Sequence, residues 1–261
     1  MRLTYLKTPE IGMRANNQNI RVLSASVKGV LHTQNNEPCQ DYALYAQDGR
    51  NFVAVVSDGA GSSKYGRIGA KTICETLTSI LKDVDFSGAK KAVIQSIGIA
   101  RSKLIRHRLN KTKSAASLID FSATIVGVIY HKNKGLFFHI GDGAGLAFFD
   151  DKYHNFTASR PENGHFKCET YFYTMDDWKD CLRFTSFENA HTIFLMTDGV
   201  TNFSFSRDYQ SIEKSFLQPI GDFLNKETCK TKALRALTNT LKTPQASKLN
   251  ADDKTLLWIK L

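Results

Sequence analysis

Three apolar runs in this chain each end in Asp-Gly: Val53-Ala54-Val55-Val56-Ser57-Asp58-Gly59, Phe137-Phe138-His139-Ile140-Gly141-Asp142-Gly143 and Ile193-Phe194-Leu195-Met196-Thr197-Asp198-Gly199. An acidic pair, Asp252-Asp253, directly precedes a fourth run at 254–261. A carboxylate at the end of a buried strand is held by rigid scaffold and pointed out of it. Several such ends that converge supply the oxygen-rich donor set that Mg²⁺ or Mn²⁺ requires. The bland alternative is that Asp-Gly closes hairpins, because both residues tolerate positive φ. That alternative is strongest at Asp142-Gly143, where another strand-like run follows at once. It is weaker at Asp58, which a Gly/Ser loop and a helix follow, and it does not account for the Asp252-Asp253 pair.

The elements that must position these groups follow from periodicity. Residues 20–27 and 51–57 read as strands, the second mostly buried. A Gly/Ser-rich loop at 59–69 leads to a helix with Ile73, Leu77, Ile80 and Leu81 on one face. A second helix starts near Ser87 and carries Val93, Ile97, Ala100 and Leu104 at similar spacing. Three strands follow, at 122–130, 134–140 and 145–149, joined by short turns at Lys132-Asn133 and Asp142-Gly143. Residues 150–187 read as irregular and loop-like. Another strand is expected at 192–197, helices around 209–217 and 230–241, a loop at 244–250 and a closing strand at 254–261. Strands, then two helices, then a run of strands point to an α+β fold of antiparallel sheets with helices against them. With no repeat and no clear linker, one domain is expected over 1–261, with 1–19 as an N-terminal extension.

Composition narrows the function classes. Hydrophobic content of 42% and charged content of 23% are those of an ordinary globular protein. The five cysteines, Cys39, Cys74, Cys168, Cys181 and Cys229, are odd in number, far apart and never in a CxxC arrangement. That argues against a disulfide framework and against a thiolate zinc site, and suits a reducing compartment. Residues 1–19 lack the apolar stretch of a signal peptide, and the longest apolar segment, 121–130, is too short to span a bilayer. A cytoplasmic protein without a membrane partner is the expectation. The net charge of +10 is concentrated around Arg101, Lys103, Arg106, Arg108, Lys111 and Lys113. Such a run reads first as the solvated face of a helix, and without a nucleic-acid-binding motif beside it no nucleic-acid partner is expected.

Taken in order, the polar markers are His32, Pro38-Cys39-Gln40-Asp41, Ser57-Asp58-Gly59-Ala60-Gly61-Ser62, Gly69-Ala70, Ser122-Ala123-Thr124, Ile140-Gly141-Asp142-Gly143, Thr197-Asp198-Gly199 and Ala251-Asp252-Asp253-Lys254-Thr255. This succession resembles the type 2C metal-dependent protein phosphatases, in particular a compact bacterial branch, from about residue 24 to 259. The resemblance implies two antiparallel β-sheets packed as a sandwich and flanked by helices, with a two-metal centre at one end. It implies that Asp58 bridges two Mn²⁺ or Mg²⁺ ions, that the Gly59 carbonyl binds one of them, and that Asp198 and Asp252 complete a shell. Asp142, with Asp198, matches the position for a third, weaker ion. Asp41 would orient the attacking water, and Gln40 and Asp253 would stand just behind the ligands. The implied reaction hydrolyses phosphoserine and phosphothreonine by attack of a metal-bridging hydroxide, without a phosphoenzyme. The implied partners are phosphorylated proteins and a Ser/Thr kinase, with the enzyme a monomer.

The chain departs from that pattern in three places. Gln40 stands where many relatives carry Glu. The Arg that commonly grips phosphate has no clear equivalent, His32 being the nearest candidate with Lys28 behind it. The position of a proposed general-acid His is Ala60. In the 160–174 segment, Glu162, His165 and Glu169 read as solvated or packing residues, the alternative being that His165 or Glu169 reaches the site. The departures keep open a pseudophosphatase that binds a partner without hydrolysis, and the same carboxylates with the basic helix leave a two-metal nuclease as a further alternative.

Overall fold

The computed structural model describes residues 20–111, 117–162 and 170–261. Its strands are β1 (Arg21–Val27), β2 (Tyr42–Ala46), β3 (Phe52–Ser57), β4 (Ile125–His131), β5 (Lys134–Ile140), β6 (Ala144–Phe148), β7 (Phe156–Ser159), β8 (Arg183–Glu188), β9 (Thr192–Met196) and β10 (Lys254–Lys260). The helices are α1 (Val30–Gln34), α2 (Gly66–Leu81), α3 (Ala89–Lys111), α4 (Asp198–Ser204), α5 (Lys214–Lys226), α6 (Lys230–Leu241) and α7 (Pro244–Leu249). One sheet runs β1-β10-β9-β6-β7 and the other β2-β3-β4-β5-β8, with every pairing antiparallel. The expected sandwich is therefore present.

Each sheet is covered on both faces, which is why its central strands read as unbroken apolar runs. Along β3, Phe52, Ala54 and Val56 meet Leu195, Leu257 and Ile259 inside the sandwich, while Val53 and Val55 face Ile73, Leu77 and Ile97 of α2 and α3. The opposite sheet sends Leu256, Trp258 and Phe194 outward against Leu217, Leu224 and Leu237 of α5 and α6. Among the described residues, no helix is long and apolar enough to cross a membrane.

Antiparallel registry sets where the polar motifs go. Val27 pairs with Lys254, Leu256 with Met196, and Met196 with Ala144. In the other sheet Tyr42 pairs with Ser57 and Ile125 with Ile140. The segments beyond these pairs, which carry Asp41, Asp58, Asp142, Asp198 and Asp252, all leave the sandwich at one end.

Several sequence expectations are corrected. Asp142-Gly143 is not a hairpin turn, because β5 and β6 belong to different sheets and the segment crosses between them. The Asp-Gly that lies in a hairpin loop is Asp48-Gly49, between β2 and β3. Residues 150–187 contain β7 and all but the last residue of β8. Residues 244–250 are mostly helix: Thr243 caps α7 through Oγ1, and Pro244 occupies its first turn, where its missing N–H is not needed. The helix expected at 209–217 lies at Lys214–Lys226 instead. The basic helix is more than a solvated face. Arg101 Nη1 donates to the Tyr173 and Met175 carbonyls at 2.9 and 2.6 Å, and Lys103 Nζ donates to Thr76 Oγ1 at 3.0 Å.

Candidate metal centre

The glycines of the Asp-Gly pairs serve close approach. Among the described glycines only Gly141 has positive φ, at 111°. A Cβ on Gly199 would overlap the Asp253 carbonyl, and one on Gly59 would overlap the backbone of Gly66. Gly199 thus lets the start of α4 touch the 252–253 segment, drawing Asp198 toward Asp252. Gly59 lets the end of β3 touch the start of α2. Asp58 itself is strapped to the start of β4: its N–H donates to Thr124 Oγ1 at 3.0 Å, its carbonyl accepts from the Thr124 N–H at 2.9 Å, and the Ala60 N–H donates to the Ser122 carbonyl at 2.9 Å.

The carboxylates that converge here repel one another. Burial raises the Asp58 pKa well above the usual carboxylate range, and the charges of Asp198, Asp41, Asp252 and Asp142 push it further. Asp198 is raised well above that range by burial and by Asp142, Asp252 and Asp41, partly offset by its position beside the Gly199 N–H. Asp142 is raised chiefly by burial, although Thr170 Oγ1 donates to its Oδ2 at 2.5 Å. Asp41 is 2% exposed, and burial lifts it to about 7 against hydrogen bonds from Thr255, Asp58 and Thr197. The Thr197 hydroxyl has only one direction available. It accepts the Thr255 N–H at 3.0 Å and therefore donates to Asp41 Oδ2, at 2.8 Å.

Asp41 Oδ1, Asp142 Oδ1 and Asp198 Oδ1 are buried without any hydrogen-bond partner. Unpaired buried carboxylate oxygens are costly, and three in one mutually repelling group form a site that a multivalent cation would complete. The donors are all oxygen, which fits Mg²⁺ or Mn²⁺.

Asp253 and His32 belong to a different arrangement. Among the described residues, the group whose donor atoms all lie within 4.8 Å of one another is His32, Asp252 and Asp253. It is not an open donor set, because Asp253 is fully engaged. Its Oδ1 accepts the Gly29 N–H at 2.6 Å, and its Oδ2 accepts the Gln40 N–H at 2.5 Å and pairs with His32 Nδ1 at 2.9 Å. Asp253 ties the ends of β1, β2 and β10 together, and His32 is built into that tie.

Sequence reasoning missed Thr197, Lys254 and Tyr209. Lys254 is 2% exposed and donates to the Asp252 carbonyl at 2.8 Å, beside the charges of Asp252, Asp253, Asp41 and Asp198. Its signal was a lysine opening an otherwise apolar strand. Tyr209, held at φ 58° and gripped through its carbonyl by Arg160 Nε at 2.9 Å, has its phenol pKa raised by burial and then by Asp142 and Asp198. A bulky residue in that conformation is a strained one, and its short polar loop carried no sequence signal. Of the acidic and histidine residues singled out in the 160–174 segment, Glu162 pairs with Arg183 at 2.5 Å, while His165 and Glu169 lie outside the described residues. Burial raises the Cys39 thiol pKa far above the range of a reactive thiolate, which removes it as a nucleophile.

The family described as Protein phosphatase 2C matches residues 28–242. Among solved structures, the chain is similar to a bacterial serine phosphatase at 13% identity, over 93% of this chain and 98% of that one, with a TM-score of 0.65. It is also similar to the serine/threonine phosphatase Stp1 of Staphylococcus aureus, at 13% identity over 96% and 99%, TM-score 0.63. The corresponding values for the Mycobacterium tuberculosis serine/threonine phosphatase PstP/Ppp are 13%, 93%, 98% and 0.61. At such identities the likeness speaks to the fold. No curated protein matches the sequence.

Proposed function

The chain belongs to the protein phosphatase 2C family, and so to the protein-serine/threonine phosphatases; from that premise we propose that it hydrolyses phosphoserine and phosphothreonine in proteins at the carboxylate end of the sandwich. The observation that carries the reading is the set of unpartnered buried oxygens on Asp41, Asp142 and Asp198 around Asp58. Asp58, the Gly59 carbonyl, Asp198 and Asp252 would hold two Mn²⁺ or Mg²⁺ ions, and Asp142 with Asp198 a third. Bound there, such ions neutralise a phosphoryl dianion and lower the pKa of water.

The protein's own groups handle the proton and the geometry. Asp41 Oδ2 is fixed by Thr197, which leaves Oδ1 as the atom that accepts a proton from the attacking water. Burial favours the protonated form of this carboxyl, which suits it to receiving that proton. The Thr124 contacts keep the Asp58 backbone still while its carboxylate faces the other acids. Lys254 supplies a fixed positive charge behind the cluster. With Ala60 in place of a histidine, the leaving oxygen takes its proton from solvent.

The test is hydrolysis of a small aryl phosphate and of a phosphothreonine peptide, with and without Mn²⁺, in the wild type and in Asp58→Asn. Mn²⁺-dependent hydrolysis that Asp58→Asn abolishes supports the reading. Folded protein that binds Mn²⁺ yet hydrolyses neither substrate would make the chain a binding module.

A further inference from the structure

Gln40 is the residue by which this chain departs from the glutamate of many relatives, and its surroundings give that departure a purpose. The Gly59 and Ala60 carbonyl oxygens lie 3.0 and 3.1 Å from one arm of its carboxamide. That arm must be the NH₂, since an oxygen there would leave three acceptors facing each other. The other arm, the carbonyl oxygen, then lies 3.4 Å from His32 Nε2 and accepts its N–H. The remaining ring nitrogen, Nδ1, donates to Asp253 Oδ2 at 2.9 Å. One ring nitrogen faces each partner, so His32 is clamped between Asp253 and Gln40. Gly66 completes the fit, because a Cβ there would overlap the same carboxamide arm that donates to Gly59 and Ala60.

We propose that His32 and Gln40 form a positioning pair that aims the Gly59 carbonyl, and that an amide at position 40 is therefore required here rather than a weakened substitute for a carboxylate. The claim rests on the metal-centre reading, in which the Gly59 carbonyl is a ligand. A carbonyl oxygen has two lone pairs. Gln40 occupies one and fixes the direction of the other, and His32 stops the amide from turning over. A glutamate would set a negative oxygen against the Gly59 and Ala60 carbonyls. It would escape only by swinging away from His32, releasing the carbonyl it should hold. In this account His32 acts through Gln40 and does not touch the phosphate.

The experiment is Mn²⁺ binding to the full chain, read from the electron paramagnetic resonance of free Mn²⁺, for the wild type, Gln40→Glu, Gln40→Met and His32→Gln. Far-UV circular dichroism and thermal melts of the metal-free proteins run alongside. The expected result is Mn²⁺ affinity weaker by about tenfold or more in both Gln40 variants and in His32→Gln, as for other partners that orient ligands. In hydrolysis assays at limiting Mn²⁺, kcat falls in these variants with little change in KM for the aryl phosphate, which loss of a phosphate-gripping histidine would not produce. Gln40→Met keeps the volume without donors, so the comparison stands even where Gln40→Glu fails to fold. Affinity in Gln40→Glu equal to or tighter than wild type would overturn the proposal and leave the phosphatase reading intact. Wild-type protein that neither binds Mn²⁺ nor hydrolyses phosphate would overturn both.

Discussion

Two groups of aspartates lie side by side at one end of this sandwich in opposite states. Asp253 is 1% exposed, and both its oxygens are engaged by Gly29, Gln40 and His32. Asp41, Asp142 and Asp198 are packed nearby, each with one buried oxygen that nothing satisfies. The same side chain is a fastener in one group and carries an unpaired buried oxygen in the other. Adjacent residues can differ in this way: Asp252 is among the charges that repel Asp58, while Asp253 is tied into the backbone. Acidic residues at a strand end therefore acquire meaning only from what their oxygens already touch.

The contrast predicts that neutralising an acid has opposite effects in the two groups. The largest effect is on activity: Asp58→Asn loses more than the ~100-fold that supporting partners of a metal ligand cost, measured as Mn²⁺-dependent phosphate release. The next is on stability. Asp253→Ala leaves two backbone N–H groups and His32 without their acceptor and lowers the unfolding free energy by about 3–5 kcal/mol; equilibrium urea unfolding checks this. By the same measurement, metal-free Asp198→Asn is as stable as wild type or more stable, because it removes a repelling charge. Mn²⁺ at about 100 times its dissociation constant adds about 2.7 kcal/mol to the wild type, and Asp198→Asn forfeits most of that gain. A clear loss of stability in metal-free Asp198→Asn would erase the distinction between the two groups.

The smallest effect concerns a histidine outside both groups. His139 is fully buried with Nδ1 2.9 Å from Ser159 Oγ, and burial, then the Arg183 charge, holds its pKa well below 6.5. The unfolded chain takes up a proton there below about pH 6.5 and the folded chain does not. Stability is therefore unaffected above that pH and falls as pH drops through it, by about 2 kcal/mol at pH 5. The raised carboxylates of the cluster work in the opposite sense, since acid relieves their repulsion. The difference between wild type and His139→Gln isolates the histidine: it should narrow on going from pH 7 to pH 5 in urea unfolding.

Much of the architecture was legible because both sheets are buried on both faces, so β3, β4, β5, β9 and β10 announce themselves as apolar runs with polar ends. The half-buried β2, Tyr42-Ala-Leu-Tyr-Ala46, gave no such run. Helix α4 was hidden because Asp198-Gly199 reads as the end of a strand, although Asp198 also opens a helix. Helix α7 was hidden because 244–250 read as a loop, when a Thr-Pro pair is also a helix start. At the site, the positions of Asp58, Asp198 and Asp252 were readable from their strand ends. The resemblance set Asp253 behind the ligands, but its partners were not readable, because Gly29 and Gln40 lie 224 and 213 residues away. Thr197 was passed over for a related reason, since its hydroxyl matters only through Asp41, 156 residues earlier.

The most direct measurement is a crystal structure of the protein soaked in Mn²⁺, with the ions located by anomalous scattering. The account predicts peaks among Asp58, the Gly59 carbonyl, Asp198 and Asp252, with the Asp253–His32 contact unchanged from the metal-free form. A sole peak between His32, Asp252 and Asp253, or none among the unpaired carboxylates, would contradict it.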